Sequence, residues 1–286
     1  MRKWSLKEVA ALFEECGAMA LEKSKHLTTQ FKSDRSIVTD ADKAIEALLA
    51  KEFDRPAEGS WLIGEETSSS KSQDYIAAAM KGPTWIVDPI DGTAPFAHGI
   101  PLWGISIGYM VDGVIQDGAI FLPPMGEMIG SEGGVAFRAD AGMGLQRNWG
   151  LASRLAPMKP PHVDFDDGGI LNISQRMARA GTIRMPNPVH SLCSCVYSSA
   201  ALMTGKHMAY IFSAKVWDMA GSLPALKALG FSARLHSGPS LMDLRVTPEI
   251  YELDMAAKSP WHIRGHAIVA VNDEIVEKVV SCCSFP

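Results

Sequence analysis

In four places along this 286-residue chain, an apolar run stops at carboxylates: Asp42 after SIVTDA, Glu65 and Glu66 after WLIG, Asp88 and Asp91 after TWIV, and Asp218 after KVW. Short apolar runs closed by acids read as buried strands, and strand ends are where layered folds present reactive groups. Taken singly, an Asp after a strand serves as well for an Asx turn or a helix cap, and DPIDG alone reads as a turn that Pro89 stiffens and Gly92 closes. Together, carboxylates converging on one cavity would repel one another unless a divalent cation held them. Oxygen-only donors favour Mg²⁺, which keeps several waters and is commonly completed by substrate phosphate. The Gly92–Thr93 turn adds outward-pointing amides suited to phosphate oxygens.

The periodicities around these acids describe mixed architecture. Leu6, Val9, Ala10, Phe13 and Gly17 recur at helical steps, predicting an amphipathic helix over about residues 5–24. Thr39 is placed to cap a second helix, with Asp42 three residues on and Ala44, Ile45, Leu48 and Leu49 as its buried face. WLIG and TWIV predict buried strands, and residues 104–136 alternate strand-like runs with Gly and Pro turns, as an antiparallel meander would. The Gly- and Pro-rich stretch 138–168 is the candidate boundary, dividing the chain into 1–145 and 146–286. Beyond it GGILNIS, HMAYIF, FSARL and HAIVAVN predict strands, alternating with helices over 191–204, 217–229 and 273–282.

Composition removes whole classes of function. Lys and Arg number 27 against 32 Asp and Glu, a net charge of −5 with no basic run, which speaks against nucleic acid as a partner. Acids interrupt every long apolar stretch, so no membrane segment is expected. Five cysteines, an odd number without a C-x-x-C pair, suit a reducing cytoplasm better than a disulfide framework. Cys193 and Cys195 are expected to pack a helix face.

Three linked motifs carry a resemblance. Gly64-Glu65-Glu66, then Asp88-Pro89-Ile90-Asp91-Gly92-Thr93 with Phe96, His98-Gly99 and Pro101 behind it, then Trp217-Asp218-Met219-Ala220-Gly221, resemble the signatures of the inositol monophosphatase family of Mg²⁺-dependent, lithium-sensitive phosphatases. FKSDRSIVTDAD resembles that family's mobile catalytic segment. The resemblance implies an α+β fold, the layered αβαβα sandwich of the sugar-phosphatase type, with an antiparallel sheet in the first half and an α/β second half. It implies two or three Mg²⁺ ions, with Glu65, Asp88, Asp91 and the Ile90 carbonyl as ligands and Asp218 completing the site. Thr93 would pair with Asp42 to polarise the attacking water, Glu66 would support from behind, and Gly92 and Thr93 would take the phosphate. His98 is expected to be structural, and Met219, Ala220 and Gly221 to permit close packing.

The substrate rim departs from the inositol-specific pattern, which places a Glu near the position of Phe212 and a Gly-Ser or Gly-Thr pair where His190-Ser191-Leu192-Cys193 stands here. Lys32, Asn187, His190, Ser191 and Phe212 are the rim candidates. The expected reaction is hydrolysis of a small phosphate monoester, in the cytoplasm, with a homodimer compatible with the resemblance. Histidinol-phosphate, bisphosphate-nucleotide and sugar-bisphosphate phosphatases are alternatives, as is a binding or regulatory module without turnover.

Overall fold

A computed structural model describes residues 3–31, 37–144, 148–166 and 168–286. In the first part of the chain, helices α1 (Leu6–Lys23) and α2 (Asp40–Phe53) flank a small hairpin of β1 (Thr29–Phe31) and β2 (Ile37–Thr39). Then come β3 (Trp61–Gly64), α3 (Gln73–Lys81), β4 (Thr84–Asp91), the short α4 (Thr93–Ala97), and the meander β5 (Gly104–Val111), β6 (Val114–Leu122), β7 (Glu127–Glu132) and β8 (Val135–Asp140). After α5 (Leu151–Arg154), β9 (Ala156–Pro157) completes a seven-stranded sheet in the order β3-β4-β5-β6-β7-β8-β9. The β3–β4 pair is parallel and every other pair antiparallel, so the expected antiparallel sheet carries one parallel edge strand.

The remainder contains β10 (Leu171–Ile173), α6 (Gln175–Ala180), β11 (Thr182–Ile183), β12 (Val189–His190), α7 (Cys195–Met203), β13 (Ala209–Phe212), α8 (Val216–Ala220), α9 (Leu223–Ala228), β14 (Ser232–Leu235), β15 (Ala267–Ala270), α10 (Asp273–Cys282) and β16 (Cys283–Ser284). Its five-stranded sheet runs β12-β10-β13-β15-β14, parallel across β12-β10-β13 and antiparallel beyond. β11 pairs separately with β16.

Strand alternation sorts these elements into layers. On β13, Tyr210 and Phe212 enter the core shared with α7, α8 and α9, while Ala209 and Ile211 enter the core shared with α6 and α10. On β4, Ile86 joins the central core and Trp85 and Val87 face α1 and α2. The resulting order is α1/α2, large sheet, α7/α8/α9, small sheet, α6/α10: the αβαβα sandwich, α+β in class.

Two helices are shorter than their periodicity predicts. The stretch 217–229 is split because the Gly221 amide donates to Ser106 Oγ at 3.2 Å, outside the helical ladder. A Cβ on Gly221 would lie 2.4 Å from the Ala119 carbonyl oxygen, so only glycine lets α8 settle on β5 and β6. The stretch 191–204 becomes helical at Cys195, since Ser194 takes an extended conformation and accepts from the Tyr197 amide as N-cap. Cys193 lies in the exposed loop before it with φ of 59°, and so does not pack a helix face.

Candidate active site

The site forms where β3, β4 and the first turns of α2, α7 and α8 meet. Asp88 and Asp91 both belong to β4, and residues three apart on a regular strand face opposite sides of the sheet. Here the register against β5 shifts, Asp88 pairing with Ser106 and Asp91 with Gly104. One extra residue on β4 turns the two carboxylates to the same side. The expected proline turn is therefore a bulge in a buried strand.

Asp218 comes from the other part of the chain, as the third residue of α8, where its Oδ2 accepts from the Lys215 amide at 2.7 Å. Ligand oxygens of Asp88, Asp91 and Asp218 all lie within 4.8 Å of one another. Among the described residues no lysine or arginine side chain forms an ion pair with any of the three. Burial first and the neighbouring carboxylates next push Asp218 up to about 7 and Asp88 well above the usual range. Asp91 is raised to about 6, by burial above all, although hydrogen bonds from Ser194 and the amides of Val196 and Cys195 pull it down. Buried oxygen donors without a cation partner fit a hard divalent ion.

Glu65 follows β3, which its amide extends by donating to the Val87 carbonyl at 3.3 Å. Its charge adds to the upward shifts of Asp42, Asp88, Asp91 and Asp218, so it borders the trio without being one of the three most closely grouped acids. Behind it is a residue that the sequence reading missed. Glu46, buried on α2, accepts from the Glu66 amide at 2.8 Å. A Cβ on Gly64 would approach the Glu46 carboxylate to 2.5 Å, so this glycine makes room for the acid that orders the Glu65–Glu66 turn. The available signal was the spacing of Glu46, one turn after Asp42 on the same helix face.

Asp42 closes a capping box with Thr39, accepting from its amide at 2.8 Å and its hydroxyl at 2.5 Å. Burial, the largest influence, raises its carboxyl to about 6. Its other oxygen faces the Thr93 hydroxyl at 3.5 Å, and that hydroxyl also lies 3.1 Å from the Ile90 carbonyl. Gly92 takes φ of 87°, and a Cβ there would lie 2.9 Å from the Leu102 carbonyl oxygen. The turn thus delivers Thr93 to the start of α4 beside the acids. His98 turns its Nδ1 to the Ala94 carbonyl at 2.8 Å, as a structural residue would.

The rim differs from expectation. Asn187 spends its amide on the carbonyls of Asp166 and Gly169, at 2.7 and 2.9 Å, and is buried as a loop clamp. Phe212 is buried in the central core beside Tyr210, because strand alternation turns it inward. His190 is exposed with its ring edge-on to His207, and Ser191 accepts at 2.6 Å from Gln175 Nε2, a residue of the cavity wall. Lys32 lies outside the described residues. A cavity of about 500 Å³ opens over Asp91 and Asp218, and its walls include Ser174, Gln175, Arg176, Arg179, Ser213 and His262.

The fold and site have counterparts among known proteins. Over residues 5–269 the chain matches the model of the inositol monophosphatase family. It is 27% identical over 221 residues to an inositol-1-monophosphatase of Mesorhizobium japonicum, covering 77% of this chain and 80% of that protein. It is 35% identical over 125 residues to a histidinol-phosphatase of Chlorobaculum parvum, covering 43% of this chain and 46% of that protein. Among solved structures, a staphylococcal inositol monophosphatase-1 in a lithium chloride-soaked inhibitory complex superposes with a TM-score of 0.72 at 18% identity, covering 98% of this chain and 96% of that one. The Thermotoga maritima IMPase superposes with a TM-score of 0.69 at 19% identity, covering 96% of both chains. With the layered fold, the match along nearly its whole length and relatives that hydrolyse phosphate esters, the chain belongs to the inositol monophosphatase family of phosphoric monoester hydrolases.

Proposed function

We propose that the chain uses Mg²⁺, two or three ions, to hydrolyse a small phosphate monoester in the cytoplasm, and that lithium inhibits it. The observation that carries this reading is the trio of buried Asp88 and Asp91 with half-buried Asp218, whose carboxylates crowd together with no ion-paired lysine or arginine among the described residues. These three, with Glu65 and the Ile90 carbonyl, would hold the ions. When bound, Mg²⁺ would neutralise the acids, screen the phosphate charge and lower the pKa of a bound water.

The protein's own groups do the rest. The Thr93 hydroxyl lies 3.1 Å from the Ile90 carbonyl and 3.5 Å from Asp42; turned toward Asp42, it would accept from an attacking water, orient its lone pair and pass a proton toward a carboxylate raised to about 6. Gly92 and Thr93 amides would take the phosphate oxygens, and the Glu66 amide bound to Glu46 steadies the turn that presents Glu65. Asp218 and the N-terminus of α7 come from the later part of the chain and the other acids from the earlier part, which supports a pocket bounded by both.

The histidinol-phosphatase of Chlorobaculum parvum gives that substrate a place in any screen. The test is release of inorganic phosphate from 4-nitrophenyl phosphate and a panel of natural monoesters, with Mg²⁺, with a chelator, and with millimolar lithium. Turnover that needs Mg²⁺ and deepening inhibition by lithium at high substrate support the reading. Absence of Mg²⁺-dependent release across the panel contradicts it.

A further inference from the structure

The cavity above the acids has an uneven charge distribution. Its floor carries Asp91 and Asp218, while one wall is α6, from which Arg176 and Arg179 both line the space. Residues three apart share a helix face, so the two guanidinium groups belong to one patch. Among the described residues neither pairs with an Asp or Glu side chain; Arg176 donates at 3.0 Å to an oxygen of Pro286, the last residue described. Burial raises the Cys193 thiol, Arg179 works against that and Asp91 adds to it, so the cation and the metal-facing acid both act on one residue of the cavity wall. His262 turns Nδ1 to the Ile263 carbonyl at 2.8 Å, and Ser174, Gln175 and Ser213 add neutral polar groups.

A phosphate held over the acids would fill only part of a cavity of about 500 Å³. Its alcohol portion would then extend along a wall bearing two cations and no acid. Guanidinium forks bind carboxylate and phosphate groups in bidentate fashion and are poor neighbours for an ammonium. We propose that Arg176 and Arg179 form a subsite for a second anionic group of the substrate, carboxylate or phosphate. The preferred substrates are then monoesters whose alcohol portion is itself negatively charged. Neutral polyol phosphates come second and amino-alcohol phosphates last. This inference rests on the phosphatase reading above.

The test measures kcat and KM for the full-length wild type and for Arg176→Gln, Arg179→Gln and the double variant. Inositol-1-phosphate is the neutral probe, 3-phosphoglycerate the carboxylate, fructose 1,6-bisphosphate the second phosphate and histidinol phosphate the ammonium. The wild type is expected to favour at least one anionic probe over inositol-1-phosphate by about tenfold or more in kcat/KM. The double variant is expected to lose that preference through KM, and whichever anionic arm shows it identifies the group bound. Both arginines are exposed, so the variants should fold. Equal kcat/KM across the probes, or arginine variants that depress every substrate alike, overturns the subsite while leaving the phosphatase standing. No Mg²⁺-dependent release from any probe overturns both.

Discussion

The carboxylate of Asp91 is received by Ser194: the hydroxyl of this N-cap donates to Oδ2, to which the Val196 amide also donates at 2.7 Å, while the Cys195 amide reaches Oδ1 at 3.1 Å. Asp91 ends a strand of the large sheet, whereas Ser194 begins a helix of the later part of the chain, so one group of the acidic trio is aimed by the opposite side of the cavity. The positive end of α7 adds to these hydrogen bonds in favouring the ionised form.

Replacing Ser194 with Ala should therefore weaken Mg²⁺ binding more than it slows the loaded enzyme. About tenfold in apparent metal affinity is expected for the loss of a group that orients a ligand, together with about 1 kcal/mol of stability from the lost cap. Activity titrated against Mg²⁺ checks the first, and thermal melts the second. An unchanged Mg²⁺ midpoint would detach Ser194 from the metal site.

Asp91→Asn removes a charge from the centre of the cluster. Turnover should fall by about 10³-fold or more if the ion supplies several kcal/mol to the transition state. The metal-free variant should melt no lower than wild type, because relieved repulsion offsets the altered hydrogen bonds around Ser194. Near-normal Mg²⁺-dependent activity would remove Asp91 from the site.

Thr93→Ala and Asp42→Asn should each lower kcat while leaving the Mg²⁺ midpoint nearly unchanged, since neither residue is needed to hold the ion. Their facing oxygens, 3.5 Å apart, should make the double variant little worse than the poorer single one. Additive losses in that cycle would show that the two act separately.

Stability without metal should depend on pH in a direction the trio sets. Asp91 and Asp218 titrate near 6 and 7 when folded, against an ordinary value of 3.8, so the folded state holds extra protons across that interval. Their contribution is greatest at the acid end and is lost as pH rises from about 4 to 7. His207 and His266 act oppositely: burial first depresses both to about 4, so their contribution is present above 6.5 and lost as pH falls toward 4. The difference between melts with and without Mg²⁺ cancels the histidines, and that difference should grow from pH 5 to pH 8. A pH-independent difference would mean that the acids do not share an ion.

The parts of this molecule that were legible in its sequence are those set by local rules. The Thr39–Asp42 capping box, the WLIG and TWIV strands and α10 at 273–282 all follow from spacing and composition within a few residues. What escaped depends on distant partners. Glu46 is visible as an acid on an apolar helix face, but its purpose appears only when Gly64 lies against it. The bulge between Asp88 and Asp91 needs β5 as its ruler, and the break at Gly221 needs Ser106. Position in the chain puts Phe212 and Asn187 at the rim, whereas strand parity and a pair of loop carbonyls place them inside.

The most direct measurement is anomalous diffraction from crystals of the full chain soaked in Mn²⁺ as a stand-in for Mg²⁺. Ions coordinated by Asp88, Asp91 and Asp218 together, with Glu65 on the nearer side, are the expected result. Saturating Mn²⁺ that supports turnover while leaving those three carboxylates without an ion would contradict the metal site from which the proposed chemistry is built.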